Sequence, residues 1–184
     1  MQMSRQASLG VGQRPAGGCM AIVEGFLGTV TFVTALGCGL IAGLFFAFSV
    51  AVMQALARLP AAGGIAAMQS INSAILNPLF LLVFLGTAAG CALVMITSLV
   101  RWHAPGSVYL LVGGALYLVG SLVVTTVCNV PKNDALALVA PTDPNSAGLW
   151  AAYLARWTAW NHVRTVASLA SLASLILGLC SLAH

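Results

Sequence analysis

The stretch that decides the expected fold covers residues 150–171 and reads W-A-A-Y-L-A-R-W-T-A-W-N-H-V-R-T-V-A-S-L-A-S. Neither proline nor glycine occurs between Leu149 and Gly178, so nothing there interrupts a helix. At about 100° per residue, one helix face collects three of the four tryptophans with a tyrosine, an amide and a guanidinium: Trp150, Tyr153, Trp157, Trp160, Asn161 and Arg164. Such a stripe is either an anchor at the membrane interface or the wall of a site.

The composition of the whole chain indicates a membrane protein. Of its 184 residues, 60% are hydrophobic and 5% are charged, whereas a soluble domain carries roughly 25% charged residues. So few charged residues cannot form the water-exposed surface of a soluble domain. The bilayer must therefore surround most of the outside, and we expect an integral membrane protein.

Charge and cysteine content exclude two other classes. The seven Lys and Arg residues are scattered singly, without a basic run, which is typical of cations that flank membrane spans and not of a nucleic-acid-binding surface. The five cysteines are odd in number and lack C-x-x-C spacing, so we expect neither a disulfide framework nor a zinc site. No His or carboxylate pair has metal-ligand spacing, and we expect no protein-bound metal.

Apolar runs divide the chain into a tail and a membrane domain. Residues 1–24 are polar and rich in small residues, which predicts a disordered tail, shorter if translation starts at Met20. Residues 25–184 form the membrane domain, and its four predicted spans are residues 26–56, 78–100, 107–128 and 163–182. A short interfacial helix is expected at residues 65–76, and Asn77-Pro78 is typical of a helix start.

The predicted fold is an all-α integral membrane bundle of four transmembrane helices. The fourth helix, counted from Leu149, would reach roughly 50 Å and extend beyond the bilayer. Four spans place both polar connections, residues 58–77 and 129–160, at the same end of the bundle. The two halves look alike, which suggests a weak parallel repeat. Lys and Arg residues are slightly more numerous at this polar end than at the other, which favours a cytoplasmic location for it. The orientation stays open.

Polar side chains near this end are the candidate site. Asn129, Asn133 and Asp134 lie in a connection that leads into the tryptophan helix, where Asn161 and Arg164 are one turn apart. Polar groups near a membrane core are costly unless they are paired, which favours a site. The alternative is that Arg164 extends to lipid headgroups while the tryptophans form an aromatic belt. No span carries a charge at its midpoint, which argues against an ion-coupled transporter.

Several motifs resemble the anthrone oxygenase family of small membrane proteins, over about residues 26–182. The more specific motifs are N-V-P-K-N-D-A-L at 129–136 and W-N-H-V-R-T-V-A at 160–167, and the weaker ones are G-L-F-F-A-F-S-V-A-V-M at 43–53 and M-Q-S-I-N at 68–72. The resemblance implies four transmembrane helices and the conversion of an anthrone to an anthraquinone with O₂, without flavin or haem. We therefore expect no cofactor.

A hypothesis for the site follows from this resemblance. Trp150, Trp157 and Trp160 would stack on a flat aromatic substrate, and Arg164 would hold its anion together with amide side chains. The proton would go to Asp134, or to His162 on the opposite helix face. The expected catalytic residues are Arg164, Asn161, Asp134 and His162, and the expected substrate-binding residues are Asn72, Asn129, Asn133, Trp150, Tyr153, Trp157 and Trp160.

Three non-enzymatic alternatives stay open. The chain is either a bundle that binds a lipid or a quinone-like ligand, or one that supports a partner membrane protein; a small transporter is a third possibility. We expect a multi-pass protein of the bacterial inner membrane whose partners are a hydrophobic aromatic molecule and the lipid bilayer. Its oligomeric state is not indicated by the sequence.

Overall fold

The computed structural model describes the backbone of residues 16–182 and the side chains of residues 25–182. All regular elements in this range are helical: α1 (Ala16–Ala47), π1 (Phe48–Val52), α2 (Met53–Ala57), α3 (Ala61–Ala74), α4 (Pro78–Val100), α5 (Ser107–Tyr117), π2 (Leu118–Val123), π3 (Thr125–Asn129), α6 (Val130–Ala137) and α7 (Ser146–Leu182). Four continuous helical stretches are long and apolar enough to cross a membrane: Gly25–Ala57, Pro78–Val100, Ser107–Ala137 and Ser146–Leu182. The predicted four-span bundle is confirmed.

The helix that contains the first span begins before the span itself. The predicted tail ended at residue 24, but α1 already begins at Ala16, and the possible start at Met20 falls inside it. The chain has no proline between Pro15 and Pro60, so no proline breaks the helix between these residues and the span. Residues 1–15 of the predicted tail lie outside the described residues.

The connection between the first two spans has the predicted design. The expected helix at residues 65–76 is observed as α3, whose inner face buries Ile65 and Met68. Asn77 caps α4, because its Oδ1 accepts a hydrogen bond from the Phe80 amide at 3.0 Å, and Pro78 occupies the first turn. Leu79, which follows on the outside of the bundle, is 71% exposed, as suits a surface surrounded by lipid.

The third span extends beyond its predicted end at residue 128. Residues 129–134, which we expected to belong to the polar connection after this span, continue the helix as far as Ala137. Pro131 lacks the amide hydrogen that a regular helix needs. The wide turns of π3 directly before it take up this disruption, since π-bulges accommodate missing or shifted backbone hydrogen bonds. The polar motif is therefore held on a helix.

The fourth helix has the predicted length and begins three residues before Leu149, at Ser146. Its 37 residues would measure about 55 Å, well beyond a hydrocarbon core of about 30 Å. It packs against α1 and α5, and α4 completes the ring of helices. A Cβ on Gly113 would lie 3.2 Å from the Ser171 carbonyl oxygen, so the absence of a side chain lets α5 and α7 approach closely.

Two hydrophobic clusters hold the bundle together. One lies among the four spans and includes Phe84, Tyr117 and Leu175. The second lies at the polar end, where α3 and α6 pack over the first turns of α7 around residues such as Met68 and Trp157. The two polar connections therefore meet at one end of the bundle, as predicted.

Candidate functional site

A cavity of about 280 Å³ lies where α3 and α6 cover the polar end of the bundle. Aromatic and aliphatic side chains form most of its wall, including Phe45, Phe48, Met68, Phe80 and Trp157. Its polar lining is made by Gln69, Asn72, Ser73, Thr125, Asn129, Asn133, Asp134 and Arg164. An apolar pocket with a few convergent polar groups has the character of a small-molecule site.

Arg164 is the central polar group of this cavity. It is 5% exposed, and no carboxylate pairs with it among the residues whose side chains are described. Its Nη1 donates to Thr125 Oγ1 at 3.2 Å and its Nη2 to Asn161 Oδ1 at 2.6 Å, while Nε has no hydrogen-bond partner in the described structure. The guanidinium is thus held in a fixed orientation, but its positive charge is not neutralised.

Two aromatic rings lie against this guanidinium. Its central carbon is 4.1 Å from the centroid of the Phe45 ring and 5.2 Å from that of Trp157. Cation–π contacts of this kind stabilise a desolvated cation by about 1–2 kcal/mol without adding a negative charge. An anion entering the cavity would therefore find a pre-positioned cation between aromatic faces.

Asn161 holds Arg164 in place and does not face the cavity. It is fully buried, and its Nδ2 donates to the Phe45 carbonyl oxygen and to Ser49 Oγ, each at 2.7 Å. Its Oδ1 accepts the hydrogen bond from Arg164. The two side chains share a helix stripe, as predicted, but Asn161 bonds to Arg164 and does not line the cavity.

The third span contributes amide groups to the same wall. Asn129, at the end of π3, is 1% exposed; its Nδ2 donates to the Trp157 carbonyl oxygen at 3.3 Å. Its Oδ1 and the indole Nε1 of Trp157 have no hydrogen-bond partner within the described part of the chain. Asn133 Oδ1 accepts a hydrogen bond from the Tyr153 hydroxyl at 2.9 Å, and Asp134 is exposed at the rim of the cavity.

Only part of the aromatic stripe lines the cavity, and other members pack beneath α3. Trp150 and Tyr153 are stacked with centroids 5.6 Å apart and form part of the second hydrophobic cluster. Neither lines the cavity, although Tyr153 orients Asn133. Trp160 is 39% exposed on the outside of the bundle. Of the three tryptophans predicted to stack on a ligand, the structure places only Trp157 in the cavity wall.

His162 lies on the other side of α7 from the cavity, as its position on the helix predicted. It lines a separate groove between residues 49–57 and residues 154–162. The alternative proton acceptor of the sequence analysis, Asp134, does line the cavity, and so does Asn72. Among the described residues, no three His, Cys, Asp or Glu side chains come together as metal ligands.

Several lining residues were missed by the sequence analysis. Thr125 and Phe45 hold Arg164, but in an apolar span such residues look like ordinary membrane-helix positions. Gln69 lies in the quoted motif at 68–72 without an assigned role. Its Nε2 donates to the Leu136 and Val139 carbonyl oxygens, each at 2.9 Å, and this joins α3 to the end of α6.

The fold and site define a four-span helical membrane protein with a cationic, aromatic-walled cavity at one end. A family model described as Anthrone oxygenase matches residues 79–174, just over half of the 184 residues. The chain belongs to the anthrone oxygenase family. No curated protein and no solved structure matches the chain. The match includes the motifs at 129–136 and 160–167, whereas the cavity wall contributed by residues 44–76 lies outside it.

Proposed function

We propose that this protein is a membrane monooxygenase that oxidises a hydrophobic aromatic carbon acid, of the anthrone type, with O₂. The observation that carries the proposal is the buried, unneutralised guanidinium of Arg164 in an aromatic-walled cavity. Family membership supports the same class of reaction. The lining residue Leu76 is 66% exposed on the outside, so an apolar substrate could pass directly from the lipid into the cavity.

The cavity suits the anion that such a substrate forms. An anthrone has a CH₂ group between two aryl rings, opposite a carbonyl group, and loss of one proton gives an aromatic oxyanion. The free Nε–H of Arg164 would donate to this oxygen, and Trp157 would contribute its indole N–H. Charge-assisted hydrogen bonds are strong where water is excluded, so the cavity stabilises the anion more than its neutral parent.

The substrate itself supplies the electrons for O₂ in this proposal. Asp134, at the rim, accepts the first proton. The carbanion carbon bonds to O₂, and the resulting peroxide takes up a proton. Loss of the second C–H proton then breaks the O–O bond, which leaves a carbonyl group and hydroxide. The balance is CH₂ + O₂ → C=O + H₂O, and the proposal assigns no cofactor.

The test compares two arginines on the same helix. Purified full-length protein in lipid nanodiscs is supplied with anthrone, and O₂ uptake and anthraquinone formation are measured. Arg164→Gln should lower kcat/KM by about 10²–10³, the usual effect of removing one donor to an oxyanion. Arg156→Gln should leave it unchanged, because Arg156 is exposed on α7 outside the cavity.

Two outcomes would change the assignment. Equal turnover by the two variants would contradict the role of Arg164. Binding of the aromatic ligand that depends on Arg164, but without O₂ consumption by the wild type, would instead indicate a carrier of phenolic or quinone ligands. This second candidate is supported by the unpartnered Nε–H of Arg164 and indole N–H of Trp157, which would also bind a carbonyl oxygen.

A further inference from the structure

Two thiols lie together inside the bundle, away from the residues that line the cavity. Cys38 of α1 and Cys91 of α4 are both 0% exposed, and their Sγ atoms are 4.0 Å apart. Cys38 Sγ is also 3.4 Å from Ser171 Oγ on α7. The proposed oxygenase reaction does not use these groups.

The packing of α1 against α4 brings these thiols into contact. A Cβ on Gly37, beside Cys38, would collide with Thr87 of α4, and one on Gly90, beside Cys91, would collide with Thr34 of α1. These two reciprocal glycine–threonine contacts hold the backbones close at the level of the thiols. A disulfide needs an S–S distance of about 2.05 Å, so the sulfurs must approach by about 2 Å.

The hydrogen bonds around Cys38 orient the pair. Ser171 donates its hydroxyl proton to the Gly113 carbonyl oxygen at 2.7 Å, so its Oγ can only accept from Cys38. The Cys38 S–H therefore points towards Ser171. This leaves the Cys38 sulfur lone pairs for the S–H of Cys91. The sulfur of Cys38 is thus directed towards Cys91.

We propose that Cys38 and Cys91 form a dithiol that reduces small, neutral hydroperoxides and is itself oxidised to a disulfide between α1 and α4. One sulfur attacks the terminal peroxide oxygen, the O–O bond breaks, and the S–H proton passes to the departing alkoxide, which yields a sulfenic acid and an alcohol. The second sulfur attacks the sulfenic sulfur and displaces water. The balance is ROOH + 2 RSH → RSSR + ROH + H₂O, in which the thiols lose two electrons.

Burial determines which oxidants can react. Neither sulfur reaches the surface, so a large, charged oxidant such as glutathione disulfide cannot attack it. A small hydroperoxide is apolar enough to dissolve in the bilayer, and the proposal requires that it reach the two sulfurs by passing between the helices. Cys180 of the same chain is exposed, so glutathione disulfide can attack it.

The experiment uses full-length protein in lipid nanodiscs, with tert-butyl hydroperoxide and glutathione disulfide in separate arms. After denaturation and alkylation of free thiols, proteolysis and mass spectrometry locate the modified cysteines. The hydroperoxide should produce a peptide that links Cys38 to Cys91, with one tert-butanol per disulfide. Glutathione disulfide should modify Cys180 and leave the pair reduced. These readouts do not require the oxygenase activity.

A matched pair of variants completes the design. In Cys91→Ala, Cys38 should stop at the sulfenic acid, which dimedone traps, whereas Cys128→Ala should still form the disulfide. If Cys91→Ala does not fold, the proposal is tested by whether the wild-type peptide map contains the peptide that links Cys38 to Cys91. The proposal is overturned if hydroperoxide leaves both thiols free to be alkylated, or if it oxidises each of them to a sulfinic acid without a linked peptide.

Discussion

Replacing Arg164 with methionine tests how the buried cation is held. Two charge-assisted hydrogen bonds, worth about 1.5–3 kcal/mol each, and cation–π contacts of about 1–2 kcal/mol stabilise it. Burying the ion without a carboxylate costs several kcal/mol. Because the two sums are similar, the main cost of Arg164→Met is that Asn161 Oδ1 stays buried without a donor, so the free energy of unfolding should fall by about 1–3 kcal/mol, which is about 2–12 °C in Tm.

Removing the amide partner should destabilise the protein more. Asn161→Ala leaves the Nη2 of Arg164 buried without a partner and removes the bonds to Phe45 and Ser49. A buried donor on a charged group that loses its partner costs more than about 1–3 kcal/mol, and the lost bonds to Phe45 and Ser49 add to this cost, so Tm should fall further than in Arg164→Met, by more than about 6 °C. The double variant Arg164→Met/Asn161→Ala should be more stable than Asn161→Ala, because the unpartnered charge is gone.

The Tm of all three variants is measured by thermal unfolding in one detergent and at one protein concentration. The circular dichroism signal of the helices reports the unfolding. Arg156→Met serves as the control, since Arg156 is exposed on the same helix. The reasoning is refuted if Arg164→Met lowers Tm as much as Asn161→Ala does. It is also refuted if the double variant is less stable than Asn161→Ala.

Three other changes test the packing at the polar end of the bundle and the proposed chemistry. Gly64→Ala should destabilise the protein by about 1–3 kcal/mol, because the new Cβ would lie 2.6 Å from the Trp150 ring; Gly63→Ala, whose nearest neighbour is at 3.9 Å, should not lower Tm comparably. Gln69→Ala should accelerate amide hydrogen exchange in the turn after α6, and unchanged protection there would contradict the joining role of Gln69. Asp134→Asn should reduce kcat about 10²-fold or more without weakening anthrone binding; full activity would exclude Asp134 as the base.

The sequence predicted the spans because their apolar runs are long and their ends carry local signals. Asn77 and Pro78 begin α4 through a side-chain cap and a fixed backbone angle, which depend only on neighbouring residues. The buried stripe of α7 followed from helical periodicity in the same way. Its members Trp157 and Arg164 are 5% exposed.

The details of the site depended on contacts between distant segments. Trp160 lies at the edge of the stripe, and only the placement of neighbouring helices decides that this edge faces outward. The helix through Pro131 was missed because the wide turns that accommodate the proline leave no simple pattern in the sequence. Thr125 was missed because a hydroxyl inside a span usually bonds its own backbone, as Thr125 also does to the Ser121 carbonyl oxygen.

The π-helical segment Leu118–Val123 has a consequence for changes in chain length. A π-bulge corresponds to one residue inserted into an α-helix, and each inserted residue turns everything beyond it by about 100°. Deleting a single residue there should restore regular winding and swing Thr125 and Asn129 away from Arg164, while the span itself remains long enough to cross the bilayer. Relatives that differ by a one-residue gap in this segment would share the fold but present a different set of side chains to the cavity.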